Sequence, residues 1–63
     1  MKMEHTYREW LAYMYGRETC MVDERLIAVR AATDGYVRSL LHQQARFWAR
    51  EARRTLDTFK RTR

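Results

Sequence analysis

The sequence predicts an all-α protein, a small helical domain of two or three helices that ends in one long amphipathic helix. The chain contains no proline and only two glycines among its 63 residues, so little in it breaks a helix. Eight aromatic rings accompany a hydrophobic content of 46%, which is typical of a chain that folds. Apolar residues in the second half recur every three or four positions, the spacing of one helix face. We therefore expect residues 1–63 to form a single domain with helices over about 6–15, 20–33 and 36–61.

The first predicted helix, over residues 6–15, has recognisable signals at both ends. Thr6 and Glu9 have the spacing of a capping box, in which each side chain accepts a hydrogen bond from the other residue's backbone amide. Trp10 and Leu11 follow on one side of the helix. Gly16 stands where a left-handed residue commonly ends a helix, so we expect the helix to stop there.

The second predicted helix, over residues 20–33, begins after Thr19, a residue type that caps helices. From Leu26 to Ala32 the side chains are apolar or small on almost every side, which predicts the buried centre of a bundle. Residues 33–35 then allow two interpretations. The chain either breaks there and is capped again by Thr33 or Asp34, or runs on as one helix of about 40 residues that tolerates Gly35 at about 1 kcal/mol. We favour the break.

The third predicted helix carries two stripes of side chains on opposite sides. At about 1.5 Å per residue it spans about 39 Å, more than the shorter helices before it can cover. We therefore expect the far end of its apolar stripe to need a partner, in the simplest case a second copy packed antiparallel in a homodimer. The apolar stripe consists of Val37, Leu41, Trp48, Leu56 and Phe59, and the arginine stripe consists of Arg38, His42, Arg46, Arg50, Arg53, Arg54 and Arg61.

Positive charge is concentrated in the second half of the chain. Residues 1–35 hold five basic and six acidic side chains, whereas residues 36–63 hold eight basic and two acidic ones. Eleven of the 13 basic residues are arginine, whose planar guanidinium matches phosphate and carboxylate groups well. A GC-rich coding sequence favours arginine whatever the function, so both explanations of this excess stay open.

The residue types that catalysis and metal binding require do not cluster in this sequence. Cys20 is the only cysteine and has no histidine near it, so we expect a small, buried or half-buried thiol. His5 and Glu9 are one turn apart, but the chain lacks the grouped cysteines and histidines of a zinc site. The sequence therefore predicts no catalytic residue, cofactor, metal or small-molecule substrate, and we expect a protein that is not an enzyme.

A sequence-specific DNA reader is not indicated either. Ala31 with Gly35 has the offset of a helix-turn-helix motif, but Arg30 and Asp34 occupy positions that should be apolar. The third predicted helix also has no asparagine and few short polar side chains that reach base edges. Nucleic-acid binding, if present, is expected to rest on phosphate contacts.

Two functions of different classes follow from these observations. The first is a small non-catalytic regulator or inhibitor, of the size and composition common in phages and mobile elements, that binds a protein partner. Its apolar stripe would contact that partner and its arginine stripe would match an acidic surface. The alternative is a DNA- or RNA-binding protein without sequence preference. No run of residues looks like a secretory or membrane-crossing segment, so we expect a cytoplasmic protein with no membrane partner.

Overall fold

The computed structural model describes residues 6–62, and within them the chain forms two helices and no strand. Helix α1 covers Tyr7–Ala31 and helix α2 covers Gly35–Arg61. The two helices pack against each other, which confirms the all-helical class. Helix α2 begins one residue before the predicted start and ends at the predicted residue.

One continuous helix occupies the region where we expected two. The predicted stop at Gly16 is wrong, because no described glycine has a positive φ and the backbone stays helical through residues 16–19. The Thr19 hydroxyl, expected to cap a second helix, instead donates to the Gly16 carbonyl at 2.9 Å. Glycine inside a helix costs only about 1 kcal/mol relative to alanine, so the good helix formers on both sides outweigh it.

The break predicted at residues 33–35 is confirmed, although the helix before it already ends at Ala31. Asp34 caps the helix that follows. Its carboxylate accepts hydrogen bonds from the amides of Tyr36 at 2.8 Å and Val37 at 3.2 Å. The capping box at the start of α1 is also present. The Thr6 hydroxyl accepts from the Glu9 amide at 3.1 Å, and the Glu9 carboxylate accepts from the Thr6 amide at 3.2 Å.

The two helices form an antiparallel hairpin aligned along its whole length. Near the open end, Arg8 Nη1 donates to the Thr62 carbonyl at 2.7 Å. Further along, Arg25 Nε donates to Gln44 Oε1 at 2.8 Å. Helix α1 has 25 residues and α2 has 27, so α1 reaches almost every turn of α2. The reason we gave for an external partner at the far end of the apolar stripe is therefore wrong, because α1 covers that end.

The residues of each helix that face the other helix are separated alternately by three and four positions, which is the repeat of a two-stranded coiled coil. We call these residues the helix interface. Its members include the four buried hydrophobic residues Leu11, Val29, Ala45 and Ala52. The helix interface consists of Arg8, Leu11, Tyr15, Glu18, Val22, Arg25 and Val29 on α1, and Arg38, Leu41, Ala45, Trp48, Ala52, Thr55 and Phe59 on α2.

The core is thin because the molecule is a single layer of helices. Its extents are 47 × 28 × 12 Å, and the smallest of these accommodates only one layer of helices. The stretch expected to be the buried centre of a bundle, from Leu26 to Ala32, is mostly not buried. Val29 is buried, whereas Ile27 is 64% exposed. Only one side of α1 has a neighbouring helix, so its other sides remain open to solvent.

Candidate interaction surfaces

The flat hairpin has two broad sides, and an apolar groove runs between the helices on one of them. We call this the groove side. Its floor forms two adjoining open cavities of about 320 and 120 Å³. Tyr15 and Leu56 line both cavities. The remaining lining residues are Ala12, Thr19 and Val22 from α1, and Ala49, Ala52, Arg53 and Phe59 from α2.

Several members of the arginine stripe border the same groove. Arg53 lines the larger cavity directly. At 100° per residue, His42 and Arg46 lie on the same side of α2 as Leu56. Together with Arg38 they line a third open cavity of about 380 Å³ near the start of α2. The groove side therefore combines an apolar floor with a basic rim.

The members of the arginine stripe differ in which side of α2 they occupy and in whether they already have a partner. Arg54 belongs to the opposite side of α2, where its guanidinium lies 3.3 Å from the Glu51 carboxylate. Arg38 Nη2 donates to the Ala32 carbonyl at 2.7 Å. Within residues 6–62, Arg46, Arg50 and Arg53 have no ion-pair partner, so their guanidinium groups are available to bind an external anion. Arg61 is exposed at the far end of α2, away from the groove.

The apolar stripe serves mainly to hold the hairpin together. Val37 remains exposed, whereas Leu41, Trp48, Leu56 and Phe59 are half-buried. The coiled-coil repeat directs Leu41, Trp48 and Phe59 towards α1, and Leu56 lies at the edge of that interface in the groove. The solvent-accessible part of the stripe is thus concentrated at Val37 and in the groove.

A second apolar surface lies on the other broad side of the hairpin, and the sequence did not single it out. We call it the aromatic side. Trp10 is 51% exposed and Phe47 is 48% exposed. The rings of Tyr7 and Trp10 stack with centroids 6.2 Å apart. The side consists of Tyr7, Trp10, Met14 and Met21 from α1, and Val37, Leu40 and Phe47 from α2. Since these residues flank the helix interface, their pattern becomes visible only once that interface is known.

Glu18 is an unexpected buried acidic side chain within the helix interface. It is only 7% exposed, and its Oε1 atom has no hydrogen-bond partner among residues 6–62. It lines a cavity of about 210 Å³ together with Leu11, Glu51, Arg54, Thr55 and Thr58. A buried carboxylate without a partner destabilises a fold, because burial removes water that the protein has not replaced.

The structure brings together no obvious chemical centre in the part it describes. Cys20 is exposed, which corrects the expected buried thiol, and its Sγ lies 3.7 Å from Glu24 Oε1. The thiol is exposed because it sits on the outer side of α1, away from α2. His5 lies outside the described residues. Within residues 6–62, no group of three or more histidine, cysteine, aspartate or glutamate side chains is placed to hold a metal ion. No helix in that range combines the length and apolar character needed to cross a membrane.

Comparison with known proteins found no family model, no curated protein and no solved structure that matches this chain.

Proposed function

We propose that this protein is a non-catalytic regulator or inhibitor whose groove side binds an acidic, amphipathic segment of another protein. The observation that carries the proposal is that Arg53 and Leu56 line the same cavity. An apolar floor receives aliphatic or aromatic side chains, while guanidinium groups on the rim pair with carboxylates. This combination fits a helix whose apolar residues are flanked by aspartate or glutamate.

The two parts of the site contribute differently to binding. Each large apolar side chain that the groove buries contributes about 1.5–3 kcal/mol, so two of them support a measurable affinity. Arginine–carboxylate pairs at an exposed rim mainly speed association and select the partner, and salt screens them. Arg46, Arg50 and Arg53 suit this role, because no ion pair within residues 6–62 has to break first.

A panel of labelled amphipathic helical peptides tests the proposal, with acidic, neutral and basic members that share one apolar face. Fluorescence anisotropy should rank the acidic peptides first. Leu56→Ser and Arg53→Glu should each weaken binding of the best peptide by about tenfold or more. Arg61→Glu makes the same change of charge outside the groove and serves as the matched control. Equal binding by the parent protein and Arg53→Glu would count against the groove.

Binding to a nucleic-acid backbone is the second candidate, and the cavity near the start of α2 favours it. Arg38, His42 and Arg46 line this cavity, and no carboxylate does. That arrangement suits a phosphate group. Few side chains there match base edges, so the expected binding has little sequence preference.

Salt dependence and groove variants separate the two candidates. Generic duplex DNA or single-stranded RNA, if bound, should be released steeply as salt rises, because phosphate contacts release counterions. The triple substitution Arg46→Glu, Arg50→Glu and Arg53→Glu should abolish that binding. Leu56→Ser should leave it unchanged, since phosphates do not use the apolar floor. No binding even at low salt removes the nucleic-acid candidate.

A further inference from the structure

We infer that a second copy of this chain covers the aromatic side, so that two hairpins form a four-helix bundle with their groove sides facing outwards. This inference is separate from the proposed function, because the aromatic side and the groove side are opposite surfaces of the hairpin. Four observations support it: the thickness of the molecule, its surface area, the residues on the aromatic side and the distribution of charge.

The single-layer architecture is the first observation. Stable domains bury the apolar sides of their helices between at least two layers. Here the smallest extent is 12 Å, and no large side chain among residues 6–62 is fully buried. Placing a second hairpin on the aromatic side supplies the missing layer.

The surface area indicates how much cover is needed. The chain exposes 5492 Å², whereas a compact monomer of 7.7 kDa exposes about 4,300 Å². Its radius of gyration is 14.9 Å, against about 11 Å for a compact chain of this length. The excess of about 1,200 Å² is summed over every side of the chain, and a standard protein interface buries about 800 Å² of each partner. A second copy therefore needs to cover only part of this excess to form an interface of standard size.

The aromatic side has the residue types of an interface centre. Trp10 and Phe47 come from different helices, and each leaves about half of its surface in solvent. Large rings of this kind dominate the binding energy of many protein interfaces. Met14 and Met21 are half-buried beside them, and methionine adapts its shape to irregular neighbours.

The charge distribution favours a second copy as the occupant. Two chains that each carry a net charge of +5 repel one another unless their positive groups lie apart. Helical geometry places three basic and three acidic side chains on or beside the aromatic side: Arg17, Arg25, Arg54, Glu18, Glu24 and Glu51. Among them, Arg25 lies 3.8 Å from Glu24 and Arg54 lies 3.3 Å from Glu51. The unpaired arginines of the groove side then point away from the other copy. A two-fold axis pairs such a balanced surface with itself, which is the commonest arrangement in oligomers.

Sedimentation equilibrium of the full chain over a range of micromolar concentrations tests the inference. We expect the mass of two chains, and we expect Trp10→Ser and Phe47→Ser each to raise the dimer dissociation constant by about tenfold or more. Ile27→Ser is the matched control, because Ile27 is 64% exposed but lies on the outer side of α1. It should leave the dimer intact, as should Arg53→Glu on the groove side.

A second measurement needs no surface variant. Cys20 is exposed and is the only cysteine, so a nitroxide label can be attached to it in the parent sequence. Electron–electron distance measurements should then show a single intermolecular distance. A single-chain mass at every concentration would overturn the inference. So would a dimer that Ile27→Ser dissociates as strongly as Trp10→Ser, because that result would place the contact on the outer side.

Discussion

The guanidinium of Arg8 lies over the ring of Phe59, with its central carbon 4.1 Å from the ring centroid. The same side chain donates from Nη1 to the Thr62 carbonyl at 2.7 Å. Arg8 thus joins the first turn of α1 to the end of α2. It also places a positive charge where the carbonyl groups at the end of α2 carry partial negative charge, which the helix dipole favours.

Arg8→Ala should loosen the open end of the hairpin. The cation–π contact and the hydrogen bond are both partly exposed, so we expect a loss of about 1–2 kcal/mol in the free energy of unfolding. Hydrogen exchange should accelerate most at residues 58–62, and urea unfolding gives the size of the loss. Arg17→Ala is the control, since Arg17 is exposed and has no partner among the described residues. Equal losses in the two variants would show that the Arg8 contacts do not stabilise the fold.

Caps were predictable from the sequence because they are local. Each cap depends only on residues up to three positions away in the sequence. The capping box of Thr6 and Glu9 and the N-cap at Asp34 both form as expected. The continuity of α1 was not predictable in the same way. Gly16 looks like a stop signal, but the helix formers on both sides of it together outweigh the cost of one glycine.

The interaction surfaces were only partly predictable, because they depend on both a pattern within one helix and the packing of two helices. Arginines such as Arg46 and Arg53 stand out because α2 is strongly amphipathic. The repeat on α1 is hidden because Arg8, Glu18 and Arg25 occupy positions that are usually apolar. Without that repeat, neither the groove nor the exposure of Trp10 follows from the sequence.

Glu18→Leu should stabilise the hairpin. The substitution removes a buried carboxylate whose Oε1 has no partner in the described part of the chain, and it adds apolar surface against Leu11 in the same cavity. Replacing buried charged groups with well-packed hydrophobic residues ranges from neutral to a gain of about 1–4 kcal/mol. Urea unfolding at neutral pH measures the gain, and Asp57→Leu on the exposed side of α2 is the control. A loss of stability in Glu18→Leu would mean that the carboxylate has a partner in solution.

Gly16→Ala tests whether α1 is continuous. The residue is helical, and a Cβ added there meets no atom within 4 Å. Alanine should therefore raise the free energy of unfolding by about 0.5–1 kcal/mol, through its better helix propensity and reduced freedom of the unfolded chain. Thermal unfolding followed by circular dichroism gives the change. Gly35→Ala is the comparison at the first residue of α2, where propensity matters less. A destabilised Gly16→Ala variant would instead indicate a left-handed residue and a break at that position.

Asp34→Ala should weaken the turn that creates the hairpin. The carboxylate of Asp34 accepts from two amides at the start of α2, and loss of an N-cap of this kind costs about 0.5–2 kcal/mol. Asp34→Asn keeps a side-chain oxygen in place and should retain most of the stability. Asp34→Ala also leaves the chain freer to continue as one long helix across residues 32–34, because alanine is the best helix former. A larger hydrodynamic radius at unchanged helix content would reveal that opening. Unchanged stability and radius would show that packing between α1 and α2 alone determines the turn.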